Sequence, residues 1–184
     1  PQRQWQYLAG RIALKKNILQ KNILQLTPES YDSLTPQNIE ICPDSKALSK
    51  KPYIWVQGTK NTGSEISISH SGDIACAALS SKSIGIDIEL IQTRSIYFYD
   101  DVLLAEELKY LLSLNPEDKH TIGTVYWTAK EAMSKVIGKG LTLPFANLKV
   151  DLPSGFSVSE NWVPFSGTVV SDGQPIPFQL WSQI

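Results

Sequence analysis

Two stretches of this chain hold residue types that together could handle a hard cation and a phosphate group. In Ser83-Ile84-Gly85-Ile86-Asp87-Ile88-Glu89, three isoleucines alternate with Gly85, Asp87 and Glu89. A strand of period two would bury Ile84, Ile86 and Ile88 and set the two carboxylates side by side on its other face. Gly85 shares that face and leaves room for a bulky ligand. In Trp127-Thr128-Ala129-Lys130-Glu131-Ala132-Met133-Ser134-Lys135, Glu131 and Lys135 stand one helical turn apart. Asp87, Glu89 and Glu131 offer only oxygen donors, a set that suits magnesium or manganese over zinc. A phosphate drawn to such a cation would also need positive charge, which Lys135, Lys51 and the arginines near the start of the chain supply.

Plainer readings exist for each piece alone. A DxE strand face is also how a solvated edge looks. Glu131 and Lys135 also make an ordinary helical ion pair, worth about 0.3–0.5 kcal/mol. Ala129, Ala132, Met133, Val136 and Ile137 predict the apolar stripe of that helix, with Glu131 and Lys135 away from its centre. A third stretch, Ile66-Ser67-Ile68-Ser69-His70-Ser71-Gly72-Asp73, puts Ser67 and Ser69 on one strand face and His70 at the start of a turn. His70 is either a buried, hydrogen-bonded histidine or a phosphate donor with Ser69 as its hydroxyl partner.

The elements that position these residues read as α+β. A helix is predicted from about residue 3, with Trp5, Leu8, Ile12, Leu19 and Ile23 as its apolar stripe. Strands are predicted at 39–42, 53–56, 65–69, 74–80 and 83–90, with turns at 58–63 and 71–73. Helices are predicted over 101–114 and 118–137, with Pro116 between them. Strands follow at 147–152, 155–158, 166–170 and 176–181, with Asp172-Gly173 as a hairpin turn. Each half runs helix first, then strands. That order predicts two similar α+β lobes in a pseudo-twofold arrangement, residues 1–90 and 91–184, joined by a linker near 91–99. The candidate metal site would then lie in the cleft between them.

Composition narrows the class. The 184 residues are 42% hydrophobic and 19% charged, which fits a globular chain able to bury a core. A net charge of −1 provides no basic field for a nucleic acid backbone. The two cysteines, Cys42 and Cys76, form no CxxC pair, so neither a disulfide framework nor a zinc site is expected. No apolar run reaches the roughly 18 residues of a membrane span, and no leader is legible. The expected setting is the cytoplasm and the expected state a monomer. The abrupt first helix and last strand predict trimmed termini.

Together, Ser67–Gly72, Gly85–Glu89 and Trp127–Lys135 resemble the three signature blocks of the 4′-phosphopantetheinyl transferases, specifically the Sfp-type group that carries two lobes in one chain. Gly138-Lys139-Gly140-Leu141 follows the same pattern. Lys50-Lys51-Pro52-Tyr53 resembles the family's GKP segment with lysine in place of glycine, and Arg3 through Arg11 resembles its arginine-bearing helix. The resemblance covers about residues 3–150; the final strands match loosely. It implies transfer of the 4′-phosphopantetheine arm of coenzyme A to a serine of an apo acyl, aryl or peptidyl carrier protein, releasing adenosine 3′,5′-bisphosphate. Asp87, Glu89 and Glu131 would hold Mg²⁺ (or Mn²⁺), and Glu131 would help deprotonate the acceptor serine. Lys135 and Lys51 would meet phosphate oxygens, Ser69 and His70 the nucleotide end, and Arg3 and Arg11 would add to the coenzyme A site. Two rival readings stay open on the residues alone: a metal-dependent phosphodiesterase or nuclease, and an inactive carrier-protein-binding module.

Overall fold

The computed structural model describes residues 2–20, 33–43, 51–138, 144–171 and 174–184, with the side chains of 2, 3, 146 and 171 set aside. It is mixed α+β. Its elements divide into two units, residues 1–88 with 134–140, and residues 89–133 with 141–184.

In the first unit, helix α1 (Gln2–Gln20) covers a two-stranded antiparallel sheet of β4 (Glu65–Ser71) and β5 (Ile74–Ser80). A second antiparallel sheet orders β1 (Ile39–Pro43), β2 (Pro52–Val56) and β3 (Thr59–Lys60). Leu14 and Ile18 of α1 are fully buried and join Leu34, Ile39, Ile41, Ile54 and Ile66 in one core. The buried face of α1 is therefore Gly10–Leu14–Ile18. The stripe expected from the sequence is mostly on the outside: Trp5, Leu8 and Ile12 are 70%, 47% and 54% exposed. Glycine at position 10 decides this. Without a Cβ the helix can seat directly against Ile68 of β4, and that seating fixes which side faces inward. β4 and β5 pair from Glu65↔Ser80 to Ser71↔Ile74, and Gly72 makes the two-residue connection at φ 55°, a left-handed conformation open to glycine.

The second unit opens with α2 (Ile96–Val102) and α3 (Ala105–Ser113). The single helix expected over 101–114 is thus interrupted, because Leu103 and Leu104 are extended and Glu107 turns back to accept the Leu104 N–H at 2.8 Å. α4 (Pro116–Ile137) starts at Pro116 rather than after it. Asn115 caps that end by accepting the Asp118 N–H at 2.9 Å, and proline in the first turn needs no donor. Residues 116–133 of α4 belong to the second unit and 134–137 to the first. A three-stranded antiparallel sheet follows in the order β6 (Leu148–Asp151), β7 (Val163–Ser171), β8 (Gln174–Ser182).

Among the described residues, two expected strands are not present: residues 155–158 have no ladder partner there, and residues 83–90 run as non-ladder backbone. Ile84, Ile86 and Ile88 are half-buried, not core. The Asp172-Gly173 turn lies outside the described residues. No helix among the described residues is long and apolar enough to cross a membrane.

Candidate active site

The DxE segment is held without a β-ladder. Ser67 and Ser69, both buried on one face of β4, accept the N–H groups of Ile86 (3.0 Å) and Ile88 (3.4 Å) on their hydroxyls. Serine side chains thus take the place of the carbonyls of a neighbouring strand, and alternation in β4 puts both at the spacing the segment needs. Ser69 also donates to Asp87 Oδ1 at 2.6 Å. Lys135 donates to the same oxygen at 2.7 Å and to the Ile86 carbonyl at 3.0 Å. The Asp87 side chain is 6% exposed and that of Lys135 is 25% exposed. Asp87 Oδ1 therefore receives two donors, while Oδ2 is buried with no hydrogen-bond partner among the described residues. Leaving a buried acceptor unsatisfied costs on the order of 1–3 kcal/mol, more for a charged group. Such an atom marks a place where something else belongs.

Cys76 stands opposite Ser69 in the β4–β5 register. Burial pushes its thiol up; nearby Lys135 pulls it down and Asp87 pushes it further up. The thiol is thereby held in its neutral form beside the carboxylate.

Glu89 is gripped on both oxygens. Arg94 donates to Oε2 and Trp127 Nε1 to Oε1, each at 3.3 Å, and Arg94 also donates to Thr124 Oγ1 at 3.0 Å. Trp127 packs edge-on to Phe98 and tilted to Phe145, which fixes its indole. Glu131 lies half-buried on α4. Its neighbour Lys130 is fully buried: it pairs with Glu107 at 2.6 Å and donates to the Leu148 carbonyl at 2.6 Å. Glu107 in turn accepts the Val150 N–H at 2.7 Å on its other oxygen. A lysine inside the signature helix is thus a core pin, which neither its charge nor its spacing signals.

The remaining candidates are dispersed. His70 lies within β4, paired with Ala75 rather than in the turn, and is exposed. A buried core histidine is therefore excluded. Ser69, expected beside it at a nucleotide, instead has its hydroxyl committed to Ile88 and Asp87. Lys51 pairs with Glu65. Arg11 donates to the Ile41 carbonyl at 3.1 Å and stacks over the Tyr7 ring at 3.2 Å; burial draws its pKa down. The Arg3 side chain lies outside the described residues, as do Lys50 and the Lys139-Gly140-Leu141 part of the fourth block.

Among the described residues no three His, Cys, Asp or Glu side chains gather into a metal cage. Magnesium does not require one. It takes one or two carboxylates, keeps several waters and fills its sphere with substrate phosphate. Asp87 Oδ2, a buried hard oxygen without a partner among the described residues, is the donor that fits. Sequence reading missed Arg94 and the Glu107–Lys130 pair, put Ser67 on a strand face without finding its partner, and treated Trp127 only as part of a block. Their partners lie far along the chain, so no local spacing shows them.

Comparison with known proteins bears on the same segment. Residues 83–169 match the 4′-phosphopantetheinyl transferase superfamily. A 4′-phosphopantetheinyl transferase of Bacillus subtilis is 34% identical over 109 residues, 59% of this chain and 47% of the relative. The 4′-phosphopantetheinyl transferase Sfp of Bacillus subtilis (strain 168) is 34% identical over 92 residues, 50% and 41% respectively. The 4′-phosphopantetheinyl transferase HetI of Nostoc sp. is 30% identical over 124 residues, 66% and 51%. The chain spans about half the length of the curated relatives it matches. The matched stretch is the one that carries Asp87, Glu89, Trp127, Lys130, Glu131 and Lys135, and over it the chain is similar to the 4′-phosphopantetheinyl transferase superfamily, on its Sfp-like side.

Proposed function

We propose that this chain transfers the 4′-phosphopantetheine group of coenzyme A to a serine hydroxyl of an apo carrier protein. One observation carries the proposal: Asp87 has one oxygen shared by Lys135 and Ser69 and the other buried without a partner among the described residues. An ammonium and an open hard-oxygen donor on one carboxylate are what a pyrophosphate with its counter-ion needs.

In this reading Asp87, with Glu89 and Glu131 as further oxygen donors, holds Mg²⁺ (or Mn²⁺). The bound cation supplies charge neutralisation of the pyrophosphate and polarises its phosphorus. Lys135 leaves its contact with Asp87 as phosphate oxygens arrive and meets the charge that builds on the leaving group. Glu131 accepts the proton of the attacking serine hydroxyl. A serine O–P bond forms and the P–O bond to the nucleotide breaks, so adenosine 3′,5′-bisphosphate departs. His70, exposed near the end of β4, would meet the nucleotide's phosphate, with Lys51, Arg3 and Arg11 as further cations. The identity of the acceptor, an acyl, aryl or peptidyl carrier, is a matter for the assay.

The test is mass spectrometry of apo carrier proteins after incubation with the chain, coenzyme A and Mg²⁺. The expected result is a gain of one phosphopantetheine on a carrier serine, absent with Asp87→Ala at an unchanged far-UV spectrum. No gain on carriers of any of the three types, or equal gain with Asp87→Ala, overturns the proposal. Mg²⁺-dependent nicking of DNA would favour the phosphodiesterase reading instead.

A further inference from the structure

We infer that Ser69 is a positioning residue for Asp87, and that its hydroxyl, rather than a nucleotide contact, explains why a serine stands there. The hydroxyl makes two bonds at once. It accepts the Ile88 N–H at 3.4 Å, which pins the backbone just after Asp87, and it donates to Asp87 Oδ1 at 2.6 Å, which fixes the carboxylate's rotation. With both ends of the aspartate held, Oδ2 has one orientation, buried and without a partner among the described residues. Lys135 on Oδ1 cannot do this alone, because a flexible four-carbon stem follows the carboxylate wherever it turns. Ser69 is 6% exposed and sits on a paired strand, so its own position is rigid. A hydroxyl supplies one donor together with two acceptor sites, and this site uses both capacities.

Ser67 provides a control within the same strand. It is 4% exposed and accepts the Ile86 N–H at 3.0 Å, so it holds the same segment in the same manner. Its hydroxyl is placed on the backbone of the segment, and Ser69 is the one that bonds the carboxylate. A merely structural role predicts equal consequences for the two serines. A positioning role predicts a difference confined to Ser69.

The inference rests on the reading of Asp87 as a donor to a divalent cation, and the experiment separates the two. Mn²⁺ binding to the full chain is followed by electron paramagnetic resonance, with urea midpoints measured in parallel. Ser69→Ala is compared with Ser67→Ala and Asp87→Ala. Ser69→Thr and Ser69→Val form a second pair of equal shape that differ only in the hydroxyl, so any strain from the added methyl cancels between them. Ser69→Ala and Ser69→Val should weaken Mn²⁺ binding about 10- to 100-fold, the usual cost of removing the partner that orients a metal ligand. Ser69→Thr should retain most of the affinity, and Ser67→Ala should stay within about threefold of the wild type by the same criterion. Turnover of Ser69→Ala should fall equally with coenzyme A and dephospho-coenzyme A, since the effect does not run through the nucleotide. If Asp87→Ala abolishes binding while Ser69→Ala and Ser69→Val bind like the wild type, the positioning role is wrong and the metal reading stands. Equal losses in Ser67→Ala and Ser69→Ala also overturn it. If Asp87→Ala binds Mn²⁺ as the wild type does, or neither binds it, the metal reading falls and this inference with it.

Discussion

Replacing Lys130 by methionine removes an ammonium that is fully buried beside a carboxylate only 2% exposed. Three backbone groups depend on the pair: the Leu104 and Val150 N–H groups donate to Glu107, and the Leu148 carbonyl accepts from Lys130. Burial lowers the Lys130 pKa, and Glu107 opposes that shift by contact and charge. Breaking a buried pair by deleting one partner costs about 3–5 kcal/mol, because the survivor is left as an uncompensated charge. Lys130→Met leaves Glu107 with two N–H donors, so the lower part of that range is expected. Glu107→Gln should cost more, since its NH₂ must then face one of two backbone donors while Lys130 keeps a single carbonyl. Many buried pairs can be exchanged for apolar residues without loss. This one should resist: Glu107→Leu with Lys130→Met strands three backbone groups at about 1–3 kcal/mol each. The assay is urea unfolding followed by circular dichroism. The expected order is wild type, Lys130→Met, then Glu107→Gln, with the double variant at least as unstable as Lys130→Met. A double variant within about 1 kcal/mol of the wild type would refute the reasoning.

His70→Ala should raise KM for coenzyme A about tenfold or more, the worth of a charge-assisted hydrogen bond, yet leave dephospho-coenzyme A nearly unaffected; equal losses with both substrates would remove His70 from the nucleotide site. Lys135→Ala should chiefly lower kcat, because its charge matters most as the leaving group gains charge; normal kinetics with a shifted Tm would make it a plain partner of Asp87. Gly10→Ala places a Cβ onto the Ile68 Cγ2 methyl, and a net loss of about 1–2 kcal/mol is expected as overpacking exceeds the gain in helix propensity; a rise in Tm would contradict the close seating of α1. Burial raises the Tyr126 phenol well above its ordinary value, with Glu107 and Tyr110 adding to the effect. Its contribution to stability is fully present below the unfolded pKa of about 10 and falls by about 1.4 kcal/mol per pH unit above it. Urea midpoints at about pH 8 and pH 11 should therefore converge in Tyr126→Phe, and an unchanged alkaline loss in that variant would refute the assignment.

The sequence by itself determined the elements whose signal is local. Short apolar segments between turn signals marked the strands later seen at Ile39–Pro43, Pro52–Val56 and Ile74–Ser80, and helical spacing with Gly138 marked the end of Pro116–Ile137. It also singled out Asp87 and Lys135, because their residue types and blocks are recognisable without knowing what they touch. Tertiary structure decided what each group does. The DxE segment has the alternation of a strand, but the hydroxyls of Ser67 and Ser69 satisfy its N–H groups, and alternation cannot say which partner a backbone donor will find. Trp5, Leu8 and Ile12 looked like a core stripe, and only the contact of Gly10 with Ile68 turned the helix the other way. Nothing in the sequence marks Lys130 as buried, since burying an ammonium is costly; Glu107, supplied from another helix, is what makes its burial tolerable. Spacing reports what a residue can do within a few turns of itself, whereas pairing, burial and charge compensation depend on groups that only the folded chain brings together.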